Sequence, residues 1–216
     1  MANEDERGRM VEGDLRDRGI SDERVLRAFL KVDRALFVPA YLFEQAYVDR
    51  ALQLSHGQTI SQPYMIALML EALQLKGKEK LLEIGTGSGY LTALLAELAG
   101  EVWTVERIEY LATTAEDRLL NLGYSNIRYR LGDGSLGWTE GAPYDRIVIS
   151  AACPKLPMAL AEQLAPGGRL VAPVGGPDLQ RLITAIKQPD GSLHEQTGVE
   201  CSFVRLIGQD GYKDQG

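Results

Sequence analysis

Two stretches of this chain hold residues whose types and spacing could do chemistry. The first is Leu81–Tyr90, which reads Leu-Leu-Glu-Ile-Gly-Thr-Gly-Ser-Gly-Tyr. A short apolar run closes around Glu83, and glycine then alternates with small residues. Gly85, Gly87 and Gly89 suit a turn where a ligand must approach the backbone. Glu106 ends the next apolar run, Val102–Val105. It follows Glu83 at close to the ~20-residue interval that places an acid on ribose hydroxyls in nucleotide-binding α/β folds. Its alternative is a plain acid at the positive end of a helix. Asp133, within Gly132-Asp133-Gly134, is placed either to accept from an adenine amino group or to make an ordinary Asp turn. The second stretch is His56–Pro63, where Gln58, Thr59, Ser61 and Gln62 cluster before a helix start. Either Ser61 caps that helix, or Thr59 and Ser61 donate to an oxygen of a bound acceptor.

The elements that must position these residues alternate strand and helix. Lys80–Ile84, Glu101–Val105, Ile127–Leu131, Asp145–Ser150 and Arg169–Pro173 read as strands. Gly89–Ala99, Ile108–Leu122 and Pro157–Leu164 read as the helices between them. Asp190-Gly191 lies between apolar runs at Arg181–Lys187 and Glu195–Leu206, a hairpin signal. The expected fold is α/β and Rossmann-like, a doubly wound, mostly parallel sheet with a late antiparallel pair and N-terminal helices. One helix is expected before Ser21, a second capped by Ser21, and a third from Pro63 to about Gln74. Ala40–Leu54 is aromatic and reads as loop with a short helix. In such sheets ligands bind at the carboxyl ends of strands, which is where Glu83, Gly85, Glu106 and Asp133 fall.

A chain of 216 residues fits one sizeable domain. Residues 1–76 would form a helical and substrate-turn region, 77–176 a cofactor-binding core and 177–216 a hairpin region. The formal net charge of −7 disfavours a nucleic acid partner. Two cysteines without paired spacing imply neither a metal cluster nor a disulfide framework. The charged start is no signal peptide, and no apolar run approaches membrane length. The chain is expected to be cytoplasmic and monomeric.

The spacing Gly-x-Gly-x-Gly after Glu83 differs from the dinucleotide fingerprint and resembles S-adenosylmethionine (SAM) methyltransferases. GQTISQPYMIALMLE at 57–71, LLEIGTGSGYLTA, VERI, GDGS, APYDRIVISAACPKLP, LAPGGRLVAPVG at 164–175 and DERVLRAFLKVDRALFVP at 22–39 extend the likeness to most of the chain. Together they resemble the protein-L-isoaspartate (D-aspartate) O-methyltransferase family. The resemblance implies methyl transfer from SAM to the free α-carboxylate of L-isoaspartyl residues in damaged proteins and peptides. It implies that Ser61 is the active-site hydroxyl and that Gln58, Thr59 and Ile60 also touch cofactor. Gly85, Glu106, Gly132 and Asp133 match cofactor positions, beside Glu83 and Gly87 of the glycine turn. Two departures stand out: Ala51 follows Arg50 where the family often has proline, and Val204-Arg205-Leu206 stands where it often reads Val-Pro-Leu.

The chemistry asks for no base. A carboxylate with a pKa near ~4 is already nucleophilic at neutral pH, so the task is to hold oxygen, methyl carbon and sulfur in line. His56 and His194 have no nucleophile partner in sequence, and nothing near Cys153 would activate its thiol. Ser61 is therefore cast as a donor that orients the acceptor. Two other readings fit the cofactor residues alone: a methyltransferase for another acceptor, and a binding module without catalysis.

Overall fold

The computed structural model describes residues 2–213. The N-terminal region is a helical layer. Helix α1 (Ala2–Arg9) passes into a wide turn over Met10–Leu15 and a tight turn over Arg16–Arg18, which Gly19 ends at φ 100°. The single helix expected before Ser21 is thus broken, because Met10, Val11 and Leu15 all turn inward to the core. Helix α2 (Glu23–Lys31) buries Val25, Leu26, Ala28 and Phe29. Its cap is Asp22, whose carboxylate accepts from the Arg24 amide at 2.8 Å. Ser21 does not cap it; the Ser21 amide donates to Glu71 instead, at 2.7 Å.

The ambiguous stretch after Pro39 holds a turn at Ala40–Gln45 and a two-residue strand, β1 (Leu52–Gln53). That strand pairs antiparallel with β2 (Thr59–Ile60) around a turn at Ser55–Gly57. Helix α3 (Pro63–Leu73) begins on Pro63, whose fixed φ suits a first helical position. Its N-cap residue is Gln62, which makes no side-chain cap bond. The cap oxygen comes from a distance: Asp49 accepts from the Tyr64 amide at 2.9 Å and from the Gln62 side chain at 2.7 Å. Ser61 therefore plays no part in capping.

The sheet follows the expected alternation. Strand β3 (Lys80–Ile84), α4 (Tyr90–Leu98), β4 (Glu101–Glu106), α5 (Glu109–Asn121), β5 (Ile127–Leu131) and β6 (Tyr144–Ile149) lead to α6 (Met158–Gln163). Strands β7 (Leu164–Gly175), β8 (Gln180–Lys187) and β9 (Leu193–Cys201) complete it. The spatial order is β5-β4-β3-β6-β7-β8-β9. The first five are parallel, and β8 and β9 add antiparallel. Strand β7 begins five residues before the expected Arg169, and β9 stops at Cys201 rather than Leu206. The Asp190-Gly191 turn joins β8 to β9 with Gly191 at φ 86°.

Alternation along β3 sorts the core into two layers. Leu81 faces one cluster with Val102, Val148, Val171 and residues of α2, α3 and α4. Leu82 and Ile84 face the other, with Ile147, Ile149, Leu170 and Leu160 of α6. A strand covered on both faces must be apolar throughout, which makes Glu83 the exception within it. The chain winds outward from β3 through β4 to β5, then returns to the other side of β3 at β6. This reversal opens a crevice at the carboxyl ends of β3 and β6.

The distant cap separates two variants. Asp49→Ala should destabilise the fold by about 0.5–2 kcal/mol through loss of the cap, whereas Ser61→Ala should stay within about 0.5 kcal/mol of the parent. Thermal melts of both, side by side, check this; equal losses would return the capping role to Ser61.

Candidate active site

The crevice is a cleft with about 920 Å³ of free space, its open mouth included. Three pieces of chain form it. The glycine turn and the ends of β4 and β6 make the floor, the Gln58–Ser61 strand makes one wall, and residues 203–207 make the other.

The floor follows from the end of β3. The Gly85 amide continues the sheet by donating to Val105 at 2.8 Å, and the Ser150 amide donates to Ile84 at 2.8 Å. Gly87 has φ 55°, and a Cβ built there would meet no atom within 4 Å, so its missing side chain leaves open space. Gly89 serves packing: a Cβ there would sit 3.2 Å from Leu119 and 3.3 Å from Ala115 of α5. Glu106 lines the cleft and is 6% exposed. Its carboxylate accepts from the amides of Gly87 at 2.9 Å, Arg107 at 2.8 Å and Ile108 at 3.0 Å. Three amides thus hold its carboxylate facing the cleft, with roughly one of its four lone-pair positions left. The amides of Arg107 and Ile108 precede α5, which begins at Glu109, so the carboxylate binds the strand-to-helix turn and not the first turn of the helix.

Glu83 lies elsewhere. It is fully buried and does not line the cleft. One oxygen accepts from Thr92 at 2.6 Å and Thr104 at 2.7 Å, and Thr104 pairs with Thr86 of the glycine turn at 2.6 Å. The other oxygen has no partner. Burial pushes its carboxyl up to about 8, only partly offset by the two threonine donors. Glu83 therefore braces the turn from below rather than reaching into the cleft, because alternation along β3 aims it between sheet and helix.

Gly132 and Asp133 also stand outside the lining; their neighbour Gly134 is inside it. Asp133 accepts from the amide and hydroxyl of Ser135 at 2.9 and 2.7 Å and from the Gln209 amide at 2.7 Å. Burial opposes its charge, but these donors hold it below the ordinary carboxylate range. The Asp-turn reading describes this side chain.

On the wall, Gln58, Thr59, Ile60 and Ser61 all line the cleft. The Ser61 carbonyl accepts from Arg34 at 3.0 Å, while its hydroxyl has no protein partner among the described residues. Arg34 is wholly buried, and its guanidinium also donates to the carbonyls of Ala46 and Arg50. Sequence reasoning did not single out Arg34; the only signal is a charge inside the apolar run Ala35-Leu36-Phe37-Val38 that follows it. It also passed over Ser150, whose buried hydroxyl lines the cleft without a partner. Its place just past β6 beside the β3 turn was the available clue. Among the described residues that line the cleft there is no histidine, cysteine, lysine or aspartate, and its one carboxylate, Glu106, is held by three amides. His56 stacks on Tyr110 at 5.1 Å outside it, and burial pushes the Cys153 thiol up to about 12.

The cleft thus offers an amide-bound carboxylate at Glu106, an unpartnered hydroxyl at Ser150 and open space over Gly87. Residues 6–211 match the model of the family described as protein-L-isoaspartate(D-aspartate) O-methyltransferase. The chain belongs to that family. It is 52% identical over 200 residues to a protein-L-isoaspartate O-methyltransferase of Dictyoglomus thermophilum, covering 93% of this chain and 90% of that one. A relative of the same description from Geotalea uraniireducens is 50% identical over 209 residues, covering 97% and 96%. A solved protein-L-isoaspartate O-methyltransferase superposes with a TM-score of 0.84 at 28% identity, over 94% of this chain and 66% of that longer one. A Plasmodium falciparum chain of the family, solved with S-adenosyl-L-homocysteine, gives 0.79 at 27% identity over 92% and 96%. The family's methyltransferase fold is thus the fold expected from the sequence.

The brace under the turn has a pH signature. The unfolded Glu83 carboxyl ionises near ~4.3, whereas the folded one is raised to about 8. The folded state then holds the proton more tightly, so its stability is full below the unfolded value and falls as pH climbs towards 8. Glu83→Gln should flatten that fall. Melting temperatures of both proteins from pH 5 to 9 measure it; parallel curves would mean that Glu83 does not titrate in this window.

Proposed function

We propose that the cleft transfers a methyl group from SAM to the α-carboxylate of L-isoaspartyl residues in damaged proteins and peptides. The observation that carries this reading is the Ser61 hydroxyl. It is half-buried and without a partner, on a backbone pinned by Arg34. It lies where the cleft meets a shallower groove that runs past Asp49, Gln62, Met65 and Phe203.

SAM supplies an electrophilic methyl group, and the protein supplies position. Glu106 accepts from ribose, and the backbone at Gly85 and Gly87 lets the ligand lie close to the turn. Ser150 offers its free hydroxyl. In this reading Gln58, Thr59 and Ile60 close over the same ligand, and Gly132 and Asp133 act indirectly by shaping the turn that presents Gly134. Ser61 donates to one oxygen of the acceptor carboxylate, which leaves the other aimed at the methyl carbon. The acceptor needs no base because it is ionised at neutral pH, in keeping with a cleft lined by no histidine, cysteine, lysine or aspartate among the described residues. Reacting atoms held ~3–3.5 Å apart and in line account for the acceleration. The chain is proposed to act as a monomer and as a single domain. No helix among the described residues is long and apolar enough to cross a membrane, and the cytoplasm is the proposed place of action.

Three outcomes test this. An isoaspartyl peptide should accept labelled methyl groups from SAM while the matched aspartyl peptide does not; equal labelling would defeat the repair assignment. Ser61→Ala should lower turnover by up to ~10²-fold with its melting curve unmoved, and parent-like turnover would remove Ser61 from the reaction. Glu106→Ala should weaken S-adenosylhomocysteine binding by about 1.5–3 kcal/mol in calorimetry, and unchanged affinity would take Glu106 out of the cofactor site.

A further inference from the structure

The charges around the cleft and its groove are few, and nearly all are engaged within the chain. Asp49 is bound to Arg18, Gln62 and Tyr64. Arg50 donates to Gln45, and Glu200 pairs with Arg181 at 2.8 Å. Glu106 is held by three amides. Arg107 lies within electrostatic reach of Asp133. Arg205 differs: it lines the cleft, it is exposed, and no carboxylate pairs with it among the described residues.

Its position is built rather than accidental. The segment is fastened beyond β6 by the Ala152 amide donating to Val204 at 2.7 Å and the Leu206 amide donating to Ala152 at 2.8 Å. Val204 and Leu206 pack into the core, so alternation turns Arg205 the other way. The ring of Tyr212 lies 5.8 Å from the guanidinium, and the Tyr212 hydroxyl is tied to the Gly175 carbonyl at 2.7 Å. Phe203, two residues earlier on the same segment, lines both the cleft and the groove that meets it at Ser61. Arg205 does not line the groove itself, but it lines the cleft that the groove joins at Ser61 and Phe203, where a peptide entering through the groove delivers its reacting residue.

We propose that Arg205 sets substrate preference by pairing with an acidic side chain next to the isoaspartyl residue in the acceptor peptide. This rests on the methyltransferase reading above. A chain of net charge −7 repels acidic peptides in general, and an unpaired cation at the mouth reverses that locally. Its exposure sets the scale: a solvent-facing ion pair changes affinity by about two- to fivefold. Exposure also argues against Arg205 holding the reacting carboxylate itself, which belongs deeper, at Ser61.

The test is a set of isoaspartyl peptides of one sequence that differ only in the residues flanking the isoaspartate, Glu, Gln or Lys on either side. With the parent protein, kcat/KM should rank Glu above Gln above Lys by about two- to fivefold per step, and peptide dissociation constants from anisotropy should follow that order. Arg205→Gln should collapse the ranking, Arg205→Lys should keep it, and raised salt should shrink it. A ranking that survives Arg205→Gln overturns the proposal. So does an equal fractional loss on every peptide, which would place Arg205 on the carboxylate they all share. Failure of the parent to methylate any isoaspartyl peptide, with SAM bound, would instead overturn the methyltransferase reading and this proposal with it.

Discussion

A buried guanidinium holds the Gln58–Ser61 wall of the cleft in place. Taking a charge out of water is costly unless its hydrogen-bonding capacity is met. Arg34 is wholly buried, and its hydrogen bonds go to three carbonyls, of Ala46, Arg50 and Ser61, with no carboxylate among them. Burial pulls its pKa below the ordinary guanidinium value, while the phenols of Tyr90 and Tyr47 and the Asp49 carboxylate pull the other way. The fold meets part of that cost by bringing irregular segments to the two terminal nitrogens, while the Arg34 Nε stays buried without a partner. Asp49 repeats the device from the other side, joining the start of α3 to Arg18. Regular hydrogen bonding is nearly absent between Pro39 and Pro63, so these two side chains supply the order that a ladder supplies elsewhere.

Two acids on neighbouring strands show how position decides chemistry. Glu83 and Glu106 both sit near the carboxyl ends of strands, and each is buried by area. Glu106 ends its strand, where the chain turns and amides converge, so its carboxylate is met by three amides and faces the cleft. Glu83 is one residue short of its strand's end, where alternation sends it into the core. There it meets hydroxyls instead of amides, and the proton is retained. The glycine turn is clamped by both, through Gly87 from above and Thr86 from below.

The sheet was legible because its signals are local. Apolar runs of four to six residues, glycine or proline breaks and helical periodicity placed the parallel strands and the helices between them to within a few residues, apart from the early start of β7, while β9 stops five residues short of its expected end. The place of Glu106 in the lining of the cleft was legible for the same reason: the end of a strand can be read from the run that makes it. What failed were inferences that needed a partner far along the chain. The cap alternative for Ser61 rested on hydroxyls before proline often being caps, but Asp49 lies twelve residues earlier and takes the amide. Glu83 and Asp133 look alike in a motif, yet Thr92, Thr104 and Gln209 decide what their carboxylates do. Arg34 and Ser150 carried almost no pattern, since a lone arginine and a lone serine have meaning only once their surroundings are folded.

The wall formed by residues 203–207 belongs to a stretch that follows every strand of the sheet in sequence. After β9 the chain returns to the cleft, bonds to Ala152, and reaches Asp133 through Gln209. During synthesis this stretch leaves the ribosome after the sheet and both core layers have already emerged. A nascent chain can therefore assemble its framework while the chamber still lacks a side, and the cleft is enclosed only once this stretch has emerged and bonded to Ala152.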